Sequence, residues 1–173
     1  MKIRKLLLVL PAVLLTVNIT AVMASGKHAR GHENAAVSKP GVASKVTRTV
    51  NIDMKDDMRF YNSMIDVKQG ETIRFIVKNS GNLKHEMVLG TDKELNEHYE
   101  VMKKNPEMEH ADSNMVTVAP GKSGEIIWQF TKTGKVDFAC LQPGHYDAGM
   151  KGMVHVASAK KQDKGNSHDS HKH

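Results

Sequence analysis

The chain has 173 residues, of which 39% are hydrophobic, a formal net charge of +6 at neutral pH and a single cysteine. This length predicts one domain with a full hydrophobic core. One cysteine excludes an internal disulfide framework. The aromatic content of only 5%, without a basic run that carries aromatic residues, argues against a nucleic-acid-binding protein.

The first 24 residues have the pattern of an export signal. Basic residues at the amino terminus precede an apolar run over 6–17, and small residues lie before the expected cleavage point after Ala24. An uncleaved membrane anchor is the alternative, but the apolar run is shorter than the roughly 20 residues that a spanning helix needs. Cleavage removes three basic residues and leaves 149 residues with a formal charge of +3. We therefore expect a periplasmic protein with signal peptide 1–24 and no remaining membrane span.

The composition of the segment 25–44 predicts a flexible leader. It is rich in Gly, Ser, Ala and Lys, shows no hydrophobic period, and is broken by Pro40 and Gly41. It also carries His28 and His32.

Residues 45–158 predict an all-β domain with one inserted short helix. Short β-branched segments with alternating apolar and polar residues are separated by turn residues, as in strands that are joined by tight connections. About eight strands at this spacing predict a β-sandwich. We assign Asp56 and Asp57 to a solvated turn. The predicted strands span 46–54, 63–68, 72–79, 83–90, 116–119, 126–131, 136–141 and 153–157.

The helix is predicted over 92–104. Acidic residues lie early in this segment and lysines late, as the helix dipole favours. Leu95, Tyr99 and Met102 recur at helical spacing and predict its buried stripe. Pro106 marks its end.

The segment 140–150, called the ligand loop below, carries the chemistry of the chain. Cys140, His145 and Met150 follow one another at five-residue intervals and offer a thiolate, an imidazole and a thioether. Sulfur with imidazole selects copper over magnesium, calcium or manganese, and a His₂Cys set with a weak axial Met is a blue-copper arrangement. His85, in a different predicted strand, is the candidate second imidazole.

Each of these residues has a structural alternative. A lone cysteine is commonly a small buried hydrophobic residue, and a methionine often fills a gap in the core. His85 is the weakest candidate on its own, because a histidine on an apolar strand is commonly a hydrogen-bonded core residue. Met153 could compete with Met150, although it should lie within the last strand, and Met87 is expected to pack beside His85 on one strand face.

Nearly all of the predicted domain resembles the cupredoxin family. The resemblance rests on Glu-Thr-Ile-Arg-Phe-Ile-Val-Lys-Asn-Ser-Gly from Glu71, on His-Glu-Met-Val-Leu-Gly from His85, and on the segment that ends at Met150. Together with the inserted helix and Asn-Pro-Glu-Met-Glu-His at 105–110, these segments look most like the periplasmic copper-tolerance cupredoxins of the CopI type. The Cys-x₄-His-x₄-Met spacing also occurs in rusticyanin-like members.

The resemblance implies a Greek-key β-sandwich that binds one type 1 copper through His85, Cys140, His145 and Met150. Many cupredoxins have an asparagine after the first histidine, whose side chain tethers the ligand loops. This chain departs from that pattern, because it has Glu86 at the position.

Further histidines and methionines are candidates for auxiliary copper binding. The tail, 159–173, is polar and is expected to be disordered. Histidine-rich tracts can bind metal, although solvated polar ends are the alternative. Met102 is favoured as a core residue. The auxiliary candidates are Met108, His110, His28, His32, His168, His171 and His173.

These observations predict an exported type 1 copper protein that cycles between Cu(I) and Cu(II). The resemblance suggests a role in periplasmic copper tolerance, with electron-transfer capability and a redox protein as partner. A dedicated respiratory electron carrier and a copper chaperone are the alternatives. We expect no enzyme activity, because the donor set fills the copper with protein side chains and leaves no open position for substrate, unlike catalytic metal sites.

Overall fold

A computed structural model describes residues 38–108 and 110–159. Within these residues the chain forms ten β-strands, one α-helix and a short 3₁₀ turn at Ala43–Lys45. The helix, α1, is Asp92–Lys104. The strands are β1 Ser38–Pro40, β2 Arg48–Lys55, β3 Arg59–Tyr61, β4 Met64–Lys68, β5 Thr72–Asn79, β6 His85–Gly90, β7 Met115–Val118, β8 Ser123–Phe130, β9 Gly134–Ala139 and β10 Lys151–Ala157.

The strands form two five-stranded sheets. The first has the order β1-β8-β5-β2-β3 and the second the order β4-β10-β9-β6-β7. The β2–β5 and β4–β10 pairs are parallel and the other pairs are antiparallel. Strands that follow one another in the chain repeatedly lie in different sheets. This arrangement confirms the predicted all-β Greek-key β-sandwich with one inserted short helix.

The alternation of side chains positions the core between the two sheets. In β4, Ile65 and Val67 are buried while their neighbours are exposed, because successive residues of a strand point to opposite faces. Strand β6 differs, since all six of its residues are buried. Met87 and Leu89 belong to the core between the sheets, whereas Val88 belongs to a second core cluster beneath α1. A strand covered on both faces can hold a buried polar site at one end.

Helix α1 has the predicted bounds. Thr91 and Glu94 form a reciprocal capping box at its start, which satisfies two of the free backbone N–H groups there. Leu95, Tyr99 and Met102 are its buried residues, as the helical spacing predicts. They pack on β6 and β9, so the helix covers the outer face of the sheet that carries the ligand loop.

Two short strands were not predicted. Strand β1 lies within the segment assigned to a flexible leader and pairs with β8, so the described fold begins before residue 45. Strand β3 lies between Met58 and Asn62, which both have positive φ. Non-glycine residues seldom adopt that conformation, so the sequence carries no turn signal there.

Other predicted segments lie outside the described residues. These are the signal peptide, most of the leader with its two histidines, and the tail from residue 160 with its three histidines. Over residues 38–108 and 110–159, no helix combines the length and the hydropathy that crossing a bilayer requires.

Candidate metal centre

Three of the four predicted ligands lie at the ends of three neighbouring strands, and the fourth lies in the ligand loop. His85 is the first residue of β6, Cys140 directly follows β9, and Met150 directly precedes β10. His145 lies in the ligand loop between the last two strands. Because β6, β9 and β10 are adjacent in one sheet, their ends bring donors that are up to 65 positions apart in the sequence to one end of the sandwich.

Three of the donors converge within bonding reach of one ion. The Nδ1 atoms of His85 and His145 are 3.1 Å apart, and Cys140 Sγ is 3.3 Å from His145 Nδ1. All three ligand atoms lie within 4.8 Å of one another. Two metal–imidazole bonds of about 2 Å, as in zinc sites, place their nitrogens about 3 Å apart at an angle near 100°. The cluster therefore fits a single metal ion.

Met150 belongs to the same buried core as Cys140. Both side chains have no exposed surface. The backbone closes the loop around them, since the Cys140 N–H donates to the Met150 carbonyl at 3.0 Å and the Met150 N–H donates to the His145 carbonyl at 3.0 Å. Met153 does not share this core, because in β10 it alternates with the buried Val154. Of these two methionines, only Met150 therefore shares the buried core of Cys140.

Two glycines give the ligand loop its bends. Gly144 and Gly149 have φ of +84° and +86°, a conformation that glycine adopts without the steric cost other residues meet. They lie directly before His145 and Met150. The turn chemistry predicted for this loop thus places both donors.

The carboxylate of Asp56 orients His85. Its Oδ1 is 3.2 Å from His85 Nε2, and the carboxylate also accepts the backbone N–H groups of Asn82 and Leu83. These backbone hydrogen bonds lower the pKa of Asp56 to about 2, so the carboxylate is ionised at neutral pH and only accepts. A hydrogen on Nε2 therefore faces the carboxylate, and Nδ1 faces the cluster.

Asp56 lies in a turn, as predicted, and its side chain is 32% exposed, but the sequence did not predict its contact with His85. Asp57 does accept a hydrogen bond from Tyr61 at the surface, but Asp56 turns toward the site. It is 29 residues from His85 in sequence, and no local pattern marks such a contact.

Glu86 tethers the ligand loop from the outer face of β6. Its side chain is 2% exposed, and its carboxylate accepts the Leu141 N–H at 3.0 Å and the Gln142 side-chain amide at 3.0 Å. The Glu86 backbone N–H points at Cys140 Sγ from 3.4 Å. The residue that departs from the asparagine of many cupredoxins thus makes its own connection between the two ligand segments.

Burial shapes the electrostatics of the donors. Desolvation raises the pKa of the Cys140 thiol, the backbone N–H groups of Glu86 and Gln142 oppose this shift, and the charge of Glu86 adds to it, so that the pKa is about 12. Desolvation and the neighbouring His85 lower the pKa of His145. Without metal, the thiol is therefore protonated and His145 neutral near pH 7. Metal binding must displace the thiol proton.

Helix α1 holds the ligand loop from its other side. The Tyr99 hydroxyl accepts the Gly144 N–H at 3.0 Å and donates to the Asp147 carboxylate at 2.7 Å. The Tyr99 ring also packs on Tyr146, with ring centroids 4.8 Å apart. Sequence periodicity identified Tyr99 only as a core residue, since the pattern does not show what its hydroxyl contacts.

Two of the auxiliary candidates, Met108 and His110, lie outside this cluster. Met108 and His110 lie in the connection between α1 and β7 and line a separate cleft. The five histidines of the leader and tail lie outside the described residues.

We expect Tyr99→Phe to lower the free energy of unfolding of the metal-free protein by about 1–3 kcal/mol. The substitution leaves the Gly144 N–H and the Asp147 carboxylate without their buried partner. Urea unfolding followed by fluorescence measures the change. Tyr61→Phe is the matched control, because the Tyr61 side chain is 46% exposed, and it should change the value by less than about 0.5 kcal/mol. Equal effects of the two substitutions would contradict the anchoring role.

We expect the Cys140 thiol of the folded, metal-free protein to react on the order of a hundredfold more slowly with a disulfide reagent than in denaturant. The side chain has no exposed surface and its pKa is about 12. The rate should keep rising with pH through 9 instead of levelling near the pKa of an ordinary thiol. Stopped-flow absorbance against pH measures it, and a plateau near pH 8–9 would refute the raised pKa.

Comparisons with known sequences identify the family. The sequence profile of the copper binding proteins of the plastocyanin/azurin family matches residues 46–157. The copper-resistant cuproprotein CopI of Rubrivivax gelatinosus is 50% identical over 132 residues, which cover 75% of this chain and 80% of that protein. The copper-resistant cuproprotein CopI of Pseudomonas aeruginosa is 34% identical, over 85% of this chain and 96% of that protein.

Solved structures share the fold. Reduced auracyanin from Roseiflexus castenholzii superimposes with a TM-score of 0.56 at 24% identity, over 65% of this chain and 98% of that one. Auracyanin B gives 0.56 at 21% identity, over 70% and 98%. These likenesses confirm the cupredoxin fold that the sequence implied. With the matched profile and the two CopI relatives, they lead to one conclusion: the chain belongs to the plastocyanin/azurin family of copper-binding proteins.

Proposed function

We propose that this protein is an exported type 1 copper protein of periplasmic copper tolerance, with His85, Cys140, His145 and Met150 as ligands. The observation that carries the proposal is the convergence of one thiol and two imidazoles within 4.8 Å at a buried site. A thioether from Met150 lies in the same core. This is the donor set that blue-copper sites use.

The surroundings of the donors suit electron transfer. Copper, when bound, supplies one-electron chemistry by alternating between Cu(I) and Cu(II). Asp56, Glu86 and Tyr99 hold the donor-bearing segments from three sides, so the side chains need little rearrangement when the charge at the site changes. His145 is only partly buried, and its ring offers the route from the buried cluster to a redox partner at the surface.

Several observations support tolerance as the biological role. Both relatives described above are named copper-resistant cuproproteins, and the amino-terminal sequence has the pattern of an export signal. Histidines in the leader and tail add imidazoles for weak capture of copper. The four donors also fill the site and leave no position for a substrate, so we propose binding and electron transfer without catalysis.

We expect the mature protein to develop an intense visible thiolate-to-copper band on addition of Cu(II), at about one copper per chain. Cys140→Ser should abolish the band, because the charge transfer starts from the thiolate. Visible absorption and EPR spectra of both proteins measure this. His155→Gln is the control, since His155 lies on the exposed face of β10, and it should retain the band.

The same substitution tests the biological role. Cells that carry Cys140→Ser should lose copper survival, whereas cells that carry His155→Gln should keep it. Loss of the band without loss of survival would assign tolerance to another part of the chain. Normal survival together with failure of a respiratory chain would favour the dedicated electron carrier. A protein that remains colourless and binds copper equally well without Cys140 would refute the type 1 site.

We expect Glu86→Gln to raise the reduction potential of the copper site by on the order of 100 mV, the Coulomb energy of one charge several ångströms away at an effective dielectric near 20. The carboxylate beside the thiolate favours the more positive Cu(II) state, and the amide keeps its shape without its charge. Potentiometric titration followed by the visible band measures the change. Glu125→Gln is the control, because this side chain is 53% exposed. An unchanged or lower potential in Glu86→Gln would contradict the electrostatic role.

A further inference from the structure

A cleft on the outer side of the second sheet gathers sulfur and imidazole donors outside the ligand cluster. Its volume is about 170 Å³, and its walls include Met102, Met108, Met115 and His110. None of the four proposed ligands of the type 1 site lines it. We call it the methionine cleft. We propose that it is a second copper site, selective for Cu(I), in which His110, Met108 and Met115 are the donors and Met102 forms the floor.

The chemistry of the lining selects the ion. Thioether sulfur is a soft, uncharged donor that favours Cu(I), whereas magnesium, calcium and manganese favour oxygen ligands. Imidazole is also a common copper ligand. Two thioethers and one imidazole, above a floor formed by a third methionine, are therefore a donor set for cuprous copper. The volume of the cleft exceeds the roughly 30 Å³ that one water molecule occupies in the liquid, so an ion has room to enter.

His110 gives the second, independent observation. Both of its ring nitrogens are buried, and neither has a hydrogen-bond partner among the described residues. A buried polar group without a partner is destabilising, and such a group in a native protein calls for an explanation, of which a bound ion is one. The His98 ring lies against the His110 ring with centroids 4.7 Å apart, which limits the positions that the imidazole can take.

The framework around the cleft is held at both ends. Met102 lies in the last turn of α1, where the Asn105 N–H donates to the carbonyls of Met102 and Val101. Met115 begins β7, and the preceding Asn114 exchanges hydrogen bonds with Leu89 of β6, at 2.7 and 2.8 Å. The chain between these two anchors carries Met108 and His110. Two buried methionines thus form the floor and one wall of the cleft, and the connecting segment supplies Met108 and His110.

Packing alone explains only part of this arrangement. Met102 and Met115 are 2% and 9% exposed and belong to the cluster beneath α1, so an apolar role accounts for both. It does not account for Met108, whose side chain is 44% exposed beside them, or for the unpartnered nitrogens of His110. A Cu(I) site accounts for the exposed Met108 and for the unpartnered His110 as well as for the two buried methionines. The ion would bind a soft donor at the mouth of the cleft as well as one in its wall.

The methionine cleft lies directly behind the ligand loop. Glu86 and Gln142 line it, and these are the two residues whose side chains meet at 3.0 Å to tether that loop. The Glu86–Gln142 pair therefore belongs both to the wall of the cleft and to the tether of the ligand loop. The cleft nevertheless has its own donors, so its capacity for Cu(I) should survive the loss of Cys140.

A two-by-two set of variants tests the proposal by Cu(I) titration. The mature protein, Cys140→Ser, Met108→Leu/His110→Gln and the combination of all three changes are titrated anaerobically with Cu(I) against a chromogenic chelator. The Met108→Leu/His110→Gln variant should hold about one Cu(I) fewer than the parent protein, with or without Cys140. Its visible band with Cu(II) should remain, because the type 1 donors are unchanged. The histidines of the leader and tail are present in all four proteins and cancel in the comparison.

Met64→Leu/His155→Gln is the matched control. It removes one methionine and one histidine that lie elsewhere on the surface, with Met64 73% exposed and the His155 side chain 59% exposed. It should retain the Cu(I) count of the parent protein. An equal count in the Met108→Leu/His110→Gln variant, or an equal loss in the control, would overturn the proposal.

A measurement on the parent protein removes any dependence on how the variants fold. Silver(I) serves as a diamagnetic probe for Cu(I), and methyl NMR of labelled methionine follows each thioether. The Met108 and Met115 methyl signals should shift on addition of silver, and the Met64 signal should not. Shifts confined to Met150 would place the soft ion only in the type 1 site and would refute the methionine cleft as a second site.

Discussion

The carboxylate of Glu86 connects the two segments on which the metal centre depends. His85 and Cys140 are fully buried, and burying polar groups is costly unless hydrogen bonds hold them in place. Glu86 follows His85 on β6 and binds the two residues after Cys140 through its side chain, while its backbone N–H faces the thiol. A single residue thus sets the separation of strand β6 from the ligand loop, and it brings a negative charge beside the thiol.

The neighbouring strands and helix α1 hold the connection between β6 and the ligand loop rigid. Strands β6 and β10 begin, and β9 ends, at the same end of one sheet, so the paired strands restrict the motion of the donors. Helix α1 closes the outer side through the Tyr99 hydroxyl, which binds Gly144 in the ligand loop. The same helix and its following connection form the walls of the methionine cleft. The inserted segment therefore adds both support for the type 1 site and donors of its own.

The elements that the sequence predicted are those with strong local patterns. All eight predicted strands are present, because short apolar or alternating segments between turn residues mark strands, and α1 has its predicted bounds because dipole charges and Pro106 mark both ends. Strands β1 and β3 have three residues each, which is too short for a period to show. Asp56 does lie in the predicted turn, but its contact with His85 was not predicted, since nothing local distinguishes it from Asp57.

The sequence by itself determined the chemistry of this protein, because a thiol, an imidazole and a thioether at fixed spacing on one loop indicate copper whatever the details of the fold. It also determined the fold class through its periodicity. Only the tertiary structure decided which side chains orient and tether those donors: Asp56 lies 29 residues from His85, Tyr99 45 from Gly144, and Glu86 55 from Leu141. Such contacts depend on strand register and on how the helix packs, and these follow from the burial of the whole core instead of from any local pattern.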